Sequence, residues 1–295
     1  MRLTWQVTTP VTSLKRFLTQ QGISHRVFSD LKQHGTIFVN EQVVTPAVTL
    51  QVGDAVAVEL PAEVADPAVA TSTTPLTVLF ENRDWLVVDK PAGLNVVPGP
   101  ANRTDTLVNR IKGHWAEIQA ENQVPHILTR LDRFTSGVVW VARHRLANSL
   151  ASQLQAHHQV DKRYLAVVSG QLTQDHDVID EPLASDPTGY NQMVSPAGKP
   201  ARTEYWVRAR FDQATVVEVQ LHTGRTHQIR AHFAYLDHPL VGDDLYGGPQ
   251  LGGMTRQALH AHTLAFMDPF TQEQRTFEST VPADWQQLIA QLRSE

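Results

Sequence analysis

Cysteine is absent from this 295-residue chain, and its absence excludes disulfides, thiolate metal sites and cysteine nucleophiles. No apolar run approaches the roughly 20 residues that span a bilayer, and the N-terminal residues lead into no apolar signal-peptide core. Charged residues make up only 19%, whereas the hydrophobic content of 41% is typical of a folded protein. These values predict a globular, cytoplasmic protein with room for about two domains.

The charge balance gives no simple indication of a partner. A net charge of −5 disfavours a general polyanion binder, because neutralising phosphates requires basic groups. Basic residues nevertheless outnumber acidic ones between positions 130 and 163, whereas acidic residues cluster near positions 175–181 and 243–244. A local basic surface on an acidic protein is compatible with this distribution.

Residues 130–137 place a carboxylate between two arginines and end in Thr-Ser-Gly, a turn sequence followed by an apolar strand at 138–142. In an extended chain, Arg130 and Asp132 share a face and Arg133 lies opposite. An adjacent arginine favours the ionised form of an aspartate. This stretch alone is compatible with a surface ion pair and with a catalytic carboxylate.

The first sixty residues predict a helix–helix–strand unit. Ser13 is expected to cap the first helix, and Gly35 lies just past the end of the second. Residues 36–44 predict a hairpin, and residues 48–60 predict a further strand pair around Gly-Asp. The order of these elements, together with the sequence at residues 35–40 and 52–54, resembles that of the S4 RNA-binding domain. On that resemblance the candidates for RNA contact are Lys15, Arg16, His25, Arg26 and Lys32.

Residues 61–75 contain three prolines and many small side chains without periodicity, which predicts a linker between domains 1–60 and 76–295. The second domain mixes both kinds of secondary structure. Its predicted strands are 76–80, 85–88, 138–142, 162–168, 203–209 and 215–221, and its predicted helices are 106–118, 145–157 and 282–292.

Residues 221–232 form a second group of reactive side chains. A strand is expected to end at Gly224 and a helix to follow, with Thr226 as its cap. Helix N-termini attract anions, so Arg225 and Thr226 are placed to contact phosphate or carboxylate. Histidines recur here every five residues, but helical metal ligands favour four-residue spacing, and a metal site is therefore not expected.

Four stretches in fixed order carry a specific resemblance: 89–93, 130–137, 162–166, and 221–232 together with 242–247. They resemble the RluA/RluD family of RNA pseudouridine synthases, from about residue 75 to the C-terminus. The resemblance implies an α+β fold: a small S4-like αα-β unit, then a catalytic domain with a long mixed, mostly antiparallel bent sheet, flanking helices and Asp132 in a central cleft.

The resemblance also implies an activity. The expected enzyme is an isomerase that converts uridines in structured RNA to pseudouridine without cofactor or metal. Large-subunit ribosomal RNA is the expected substrate, with transfer RNA as the alternative. A monomer is expected, with no membrane association and no obligatory protein partner.

The same resemblance assigns roles to individual residues. Asp132 corresponds to the catalytic aspartate, Arg130 to the residue that helps hold the target nucleotide flipped out, and Tyr164 to the tyrosine that stacks on the base and is a candidate for handling its C5 proton. Arg225 is matched to the arginine that pairs with the aspartate, and Arg230 is the alternative. Arg225, Thr226 and Arg230 are all expected to contact RNA.

These roles fit elementary chemistry. Breaking a glycosidic bond develops positive character at C1′, which a carboxylate can stabilise or trap. Extruding a base costs a few kcal/mol, by order of magnitude, and aromatic stacking returns roughly 1–3 kcal/mol per base.

Position 134 departs from the family, which commonly has a polar or acidic residue where this chain has Phe134. Strand alternation would place Phe134 on the Asp132 face, where it would shape the pocket wall.

Two other functions compete with this interpretation. A non-catalytic RNA-binding or ribosome-assembly protein could keep the same fold, although the candidate catalytic residues are all present. A hydrolase acting on small sugars is disfavoured, because glycosidases usually place two carboxylates close together and Asp132 has no acidic companion in the matching stretches.

Overall fold

A computed structural model of the chain describes residues 2–100 and 102–294. The terminal residues of the two predicted domains, Met1 and Glu295, lie outside the described residues. The helices are α1 (Leu14–Gln20), α2 (His25–His34), α3 (Leu107–Glu117), α4 (Arg145–Ala156), α5 (Gln228–Tyr235) and α6 (Ala283–Leu292). The strands are β1 (Arg2–Gln6), β2 (Thr36–Val39), β3 (Gln42–Val43), β4 (Ala55–Glu59), β5 (Thr77–Glu81), β6 (Trp85–Lys90), β7 (His126–Ile127), β8 (Ser136–Ala142), β9 (Val160–Ser169), β10 (His176–Asp180), β11 (Leu183–Ser185), β12 (Gln192–Val194), β13 (Arg202–Arg210), β14 (Ala214–Leu221), β15 (Leu259–Met267) and β16 (Gln274–Glu278).

The N-terminal unit consists of α1, α2 and a four-stranded sheet in the order β1-β4-β2-β3. Ser13 caps α1 by accepting a hydrogen bond from the backbone N–H of Arg16, and Gly35 caps the end of α2. The β2–β3 hairpin turns through Asn40 and Glu41, both with positive φ, as such two-residue turns require. Both predicted helices and the hairpin are confirmed, and the likeness to an S4 domain stays a prediction.

The strand predicted at residues 48–52 is wrong, because residues 48–51 are irregular between two turns and β4 pairs with β1 and β2 instead. The carboxylate of Asp54 accepts hydrogen bonds from the Gln51 N–H (2.7 Å) and the Asn40 amide (2.8 Å), which closes a tight turn. That turn bonds to Val7 just after β1. The N-terminal strand therefore takes the place beside β4 that the local pattern assigned to residues 48–52.

The second sheet has ten strands, eight of them in the order β10-β13-β14-β9-β15-β8-β6-β5, with β7 on β8 and β16 on β15. Strands β8 and β15 pair in parallel and the other pairs are antiparallel. The α+β class and the large mixed, mostly antiparallel sheet are confirmed. All six strands and three helices predicted for this region are present within about two residues of their predicted ends.

Strand β8 fixes the position of the Asp132 loop. All seven of its residues are buried, with Val139 and Val141 in one core and Trp140 in another on the opposite face. Gly137 has φ +113°, and a Cβ there would lie 2.1 Å from the carbonyl oxygen of Ala261 in β15. Only glycine permits this close parallel pairing, which anchors the chain just after Asp132.

Residues 61–75 contain no helix or strand and are mostly exposed, yet specific hydrogen bonds tie them to the rest of the chain. Glu63 is buried, and its carboxylate accepts from His126 Nε2 (2.7 Å) and from the N–H of Arg145 (2.7 Å). Leu146 of α4 belongs to the same apolar cluster as the N-terminal unit. The predicted linker is thus held along the surface that joins the two units. No helix within the described ranges is long and apolar enough to cross a membrane.

Candidate active site

Asp132 lies in a loop between β7 and β8, and its backbone carbonyl accepts a hydrogen bond from the N–H of Thr135 (3.1 Å). That bond closes a turn at Arg133 and Phe134. Strand alternation therefore stops at Asp132, and the prediction that Phe134 shapes the pocket wall is wrong. Phe134 is 43% exposed, and its ring lies 5.0 Å from the guanidinium carbon of Arg133.

The Asp132 carboxylate is held by Arg230 from the first half of α5. Arg230 Nη1 donates to Asp132 Oδ2 (2.9 Å), while Nε and Nη2 donate to Asp243 Oδ2 (2.6 Å) and Oδ1 (2.7 Å). The side chains of Asp243, Arg230 and Asp132 are 1%, 7% and 27% exposed. The three residues thus form a chain that runs from the protein interior to the cleft.

The preference for Arg225 as the partner of Asp132 is wrong. Arg225 belongs to the irregular segment before α5, where its Nε donates to the carbonyl oxygen of Pro200 (2.9 Å). Arg230, one turn inside the helix, is directed at the carboxylate instead. Both arginines line a small pocket together with Asp132.

Arg230 remains a cation throughout the useful pH range. Burial opposes its charge, but hydrogen bonds and charge interactions with Asp243 and Asp132 outweigh burial and raise the pKa of Arg230. The guanidinium also lies 5.0 Å from the ring centroid of Tyr246. Asp132 therefore faces a permanent positive charge through Oδ2, and its Oδ1 makes no hydrogen bond to any residue that the structure describes.

Tyr164 of β9 reaches the same cleft from the sheet. It is buried and lines the pocket that contains Asp132 and Arg230. Burial, and secondarily the negative charge of Asp132, raises the pKa of Tyr164 well above its ordinary value. The phenol therefore stays protonated at neutral pH, and its ring is the part available for stacking.

His227, which the sequence analysis considered only as a metal ligand, lies at the edge of the site. It is the N-cap of α5 with a left-handed backbone (φ 51°), so the cap predicted at Thr226 is wrong. Its Nε2 lies 3.8 Å from Asp132 Oδ2, and its Nδ1 lies 3.3 Å from the hydroxyl oxygen of Tyr246. Gln228, not Thr226, stabilises the turn by accepting from the Arg225 N–H (3.0 Å).

The other two histidines of this series are directed elsewhere. His222 Nε2 lies 2.7 Å from a carboxylate oxygen of Glu204. His232 is buried, with Nδ1 2.9 Å from Thr203 Oγ1 and Nε2 2.9 Å from the carbonyl oxygen of Glu181. Within residues 2–100 and 102–294, no three or more acidic or histidine side chains converge as metal ligands.

Lys90 supports the Asp132 loop from behind. Its ammonium is fully buried and donates to the carbonyl oxygens of Pro91 (2.9 Å), Leu94 (2.9 Å) and Arg133 (3.1 Å). Burial lowers the pKa of Lys90 to about 7. This lysine does not reach the cleft, and it joins the 90–94 loop to the turn after Asp132.

The cleft around Asp132 has a volume of about 560 Å³ and a strongly cationic lining. Its lysine and arginine side chains are Arg130, Arg133, Lys162 and Arg225, against the single carboxylate of Asp132. Clefts of one charge sign raise the local concentration of oppositely charged ligands. A protein of net charge −5 therefore presents a local surface suited to a polyanion.

The RNA pseudouridylate synthase family profile matches residues 84–235, which contain β6 to α5 and both Asp132 and Arg230. The chain belongs to this family. It is 37% identical to the uncharacterized RNA pseudouridine synthase YjbO of Bacillus subtilis, over 94% of this chain and 98% of that protein. It is 39% identical to the ribosomal large subunit pseudouridine synthase D of Xanthomonas campestris, over 90% and 84% of the two chains.

Solved structures agree at the level of the fold. The human RNA pseudouridylate synthase domain containing 4 superposes with a TM-score of 0.60 at 22% identity, covering 74% of this chain and 93% of that one. The profile and the similar bacterial proteins confirm the resemblance to the RluA/RluD family of RNA pseudouridine synthases. The protein is an isomerase that converts uridine to pseudouridine in RNA.

Proposed function

We propose that the protein isomerises specific uridines of large-subunit ribosomal RNA and that Asp132 is its essential catalytic residue. The observation that carries the catalytic assignment is the Asp243–Arg230–Asp132 chain, which presents one carboxylate oxygen to a cationic cleft. The RNA class rests on similar proteins from Xanthomonas campestris and Xylella fastidiosa, which are ribosomal large subunit pseudouridine synthases D.

Asp132 acts where positive charge develops as the N1–C1′ bond breaks. Its carboxylate stabilises or traps that charge. Because Arg230 is already fixed by Asp243, the carboxylate needs little reorganisation during the reaction. The preorganised chain is the part of the site on which the chemical step depends.

The remaining residues bind the substrate. The target nucleotide must leave its helix to reach the cleft, and the buried ring of Tyr164 offers it a stacking surface. Arg130, exposed at the rim, helps to hold the nucleotide in the flipped state. Arg225 and Thr226 are exposed in the lining of the same cleft and contact the flanking phosphates.

The decisive experiment replaces Asp132 with Asn in a strain from which the chromosomal copy has been deleted. Pseudouridines of ribosomal and transfer RNA are mapped with the empty vector, the wild-type protein and the variant. We expect the wild type to restore a site in large-subunit ribosomal RNA and Asp132→Asn to restore none. The matched control is Asp161→Asn, because Asp161 also pairs with an arginine (Arg163, 2.9 Å) but lies outside the cleft.

Two outcomes would count against the proposal separately. Full modification by Asp132→Asn would remove Asp132 from the mechanism. Restoration of a site in transfer RNA alone would overturn the RNA class and leave the role of Asp132 standing.

A further inference from the structure

The reaction needs a base that the Asp132–Arg230–Asp243 chain does not supply. Isomerisation breaks N1–C1′ and forms C5–C1′, after which C5 carries both its original proton and the sugar. That proton must leave C5, and N1 must gain one, so the net change is one proton moved from carbon to nitrogen. A side chain that accepts the C5 proton and releases it to water, while water protonates N1, balances the step without any co-reactant.

Tyr164 is poorly suited to accept this proton. A phenol acts as a base only after losing its own proton, and the buried phenol of Tyr164 beside Asp132 holds that proton more firmly than in water. Arg230 is a permanent cation, and Lys90 is sealed behind the loop. These three side chains are therefore poorly suited to serve as the base at neutral pH.

His227 meets the geometric requirements. It lines both the small pocket around Asp132 and the larger cleft that contains Tyr164. Its side chain is 17% exposed, so the ring is largely enclosed while one edge faces the space where the base must lie. Its left-handed backbone is unfavourable for a residue with a Cβ, and such strain is commonly retained at functional sites.

Hydrogen bonds around Tyr246 indicate which ring nitrogen carries the proton. The Tyr246 hydroxyl oxygen accepts from the Gln192 N–H (2.8 Å), and the hydroxyl donates to the Gln192 carbonyl oxygen (3.3 Å). With its hydroxyl proton on the Gln192 carbonyl, Tyr246 can accept from His227, and we assign the imidazole proton to Nδ1 on that basis. The lone pair then resides on Nε2, directed into the site, and the 3.8 Å gap to Asp132 Oδ2 suits two acceptors that cannot bond each other.

We infer that His227 is the general base of the isomerisation, with Nε2 accepting the proton from C5 of the rearranged base. The assignment rests on the proposed function, since it places the reaction beside Asp132. In this scheme Tyr164 stacks on the base and does not handle the proton. Tyr246 and Gln192 are positioning residues, because they act by holding the imidazole in one tautomer.

Several charged groups face the imidazole. Burial lowers the pKa of His227, Asp132 from the β7–β8 loop and Asp243 before the 3₁₀ turn raise it, and Arg230 on α5 lowers it, with the pKa below its ordinary value as the result. The imidazole is therefore neutral at pH 7 and able to accept a proton. Activity should decline as the pH falls through this pKa, because the protonated ring cannot act as a base.

The test uses two substitutions that tolerate the left-handed backbone. His227→Gly removes the ring and leaves a space for free imidazole, and His227→Asn retains a polar side chain without a base. Both are assayed at steady state over a range of RNA concentrations, and also in single turnovers, with ordinary and 5-deuterated uridine. We expect kcat to fall roughly 100-fold or more in both, a larger deuterium effect than in the wild type, and partial rescue of His227→Gly by added imidazole.

His158→Gly is the matched control, because His158 is another histidine with a left-handed backbone (φ 56°) and lies exposed outside the cleft. It should retain wild-type kcat and show no response to imidazole. Retention of kcat within about twofold in His227→Asn, or a loss confined to KM without an isotope effect, would overturn the role of His227. Asp132→Asn is assayed in parallel. An active Asp132→Asn variant would contradict the proposed function, whereas an inactive one beside an active His227→Asn would contradict only the role of His227.

Discussion

Arg230 and Arg145 each lie between two carboxylates, in regions with different roles. Arg230 bridges Asp132 and Asp243 in the cleft. Arg145, at the start of α4, bridges Asp30 of the N-terminal unit and Glu63 of the connecting segment, with its Nε 3.0 Å from Glu63 Oε1. The chemical components are the same in both places.

The difference lies in what else the carboxylates accept. Glu63 also accepts from His126 and from a backbone N–H, and Asp30 lies 3.1 Å from His34 Nδ1. Asp132, by contrast, keeps Oδ1 free of hydrogen bonds to the described residues. An ion pair therefore does not by itself mark a reactive carboxylate. A reactive carboxylate also needs an oxygen that the fold leaves unoccupied beside a cleft.

The largest effect is expected when Arg230 is replaced by Met. The substitution leaves Asp243 buried without its partner, which typically costs about 3–5 kcal/mol of stability, and it abolishes turnover because Asp132 loses its anchor. Urea denaturation and pseudouridine formation measure the two effects. Arg230→Lys is the control that keeps the charge, and it should recover part of the stability. A stable, active Arg230→Met protein would show that the carboxylates around Arg230 do not differ in role from those around Arg145.

Breaking the other cluster should separate stability from catalysis. Glu63→Gln weakens the contacts to Arg145 and His126, with an expected loss of about 1–3 kcal/mol, and it leaves kcat unchanged because the segment is remote from the cleft. Thermal unfolding and steady-state kinetics on the same preparation provide the measurement. A kcat that fell in proportion to the stability would show that the two clusters are coupled.

The pH dependence of stability tests the contribution of Lys90, which lies behind the Asp132 loop. The pKa of Lys90 is about 7 in the folded protein, below its value near 10.4 in the unfolded chain. Between these values the unfolded chain binds more protons, so Lys90 makes stability rise with pH by up to about 1.4 kcal/mol per pH unit. Lys90→Met should flatten this rise in urea titrations from pH 7 to 10, and an unchanged slope would contradict the assignment.

The smallest effect is expected at the cleft wall. Arg225→Gln removes one cation without disturbing Asp132, so RNA affinity should fall severalfold and its salt dependence should weaken by about one phosphate contact, with kcat unchanged. Binding measured at several salt concentrations tests this. Arg208→Gln is the control, because Arg208 pairs with Glu218 on the sheet surface. Equal salt slopes for Arg225→Gln and wild type would exclude a phosphate contact.

Much of the fold could be predicted because its signals are local. Ser13 and Gly35 delimit the N-terminal helices, and the alternation of β14 and the apolar run of β8 define strands within a few residues. Strand β10 was not predicted, since its exposed, charged residues at the sheet edge lack an apolar pattern. The β1–β4 pairing joins positions more than fifty residues apart, which no local pattern reveals.

The candidate site was predicted in composition and less well in geometry. Asp132 and Tyr164 follow from contiguous stretches that the fold carries into the cleft intact. The choice between Arg225 and Arg230 depends on the turn at residues 224–227, where the left-handed His227 redirects the chain before α5 begins. Residues 242–247 carried the resemblance without an assigned role, although Asp243 and Tyr246 complete the site.

The sealed ammonium of Lys90 also makes that residue an indicator of local opening. Amine-reactive reagents cannot reach it while the 90–94 loop stays packed, and they can react with it only when that loop detaches. Its acylation rate, read by mass spectrometry, would therefore report how often the loop behind Asp132 detaches. RNA that seats in the cleft should slow this labelling.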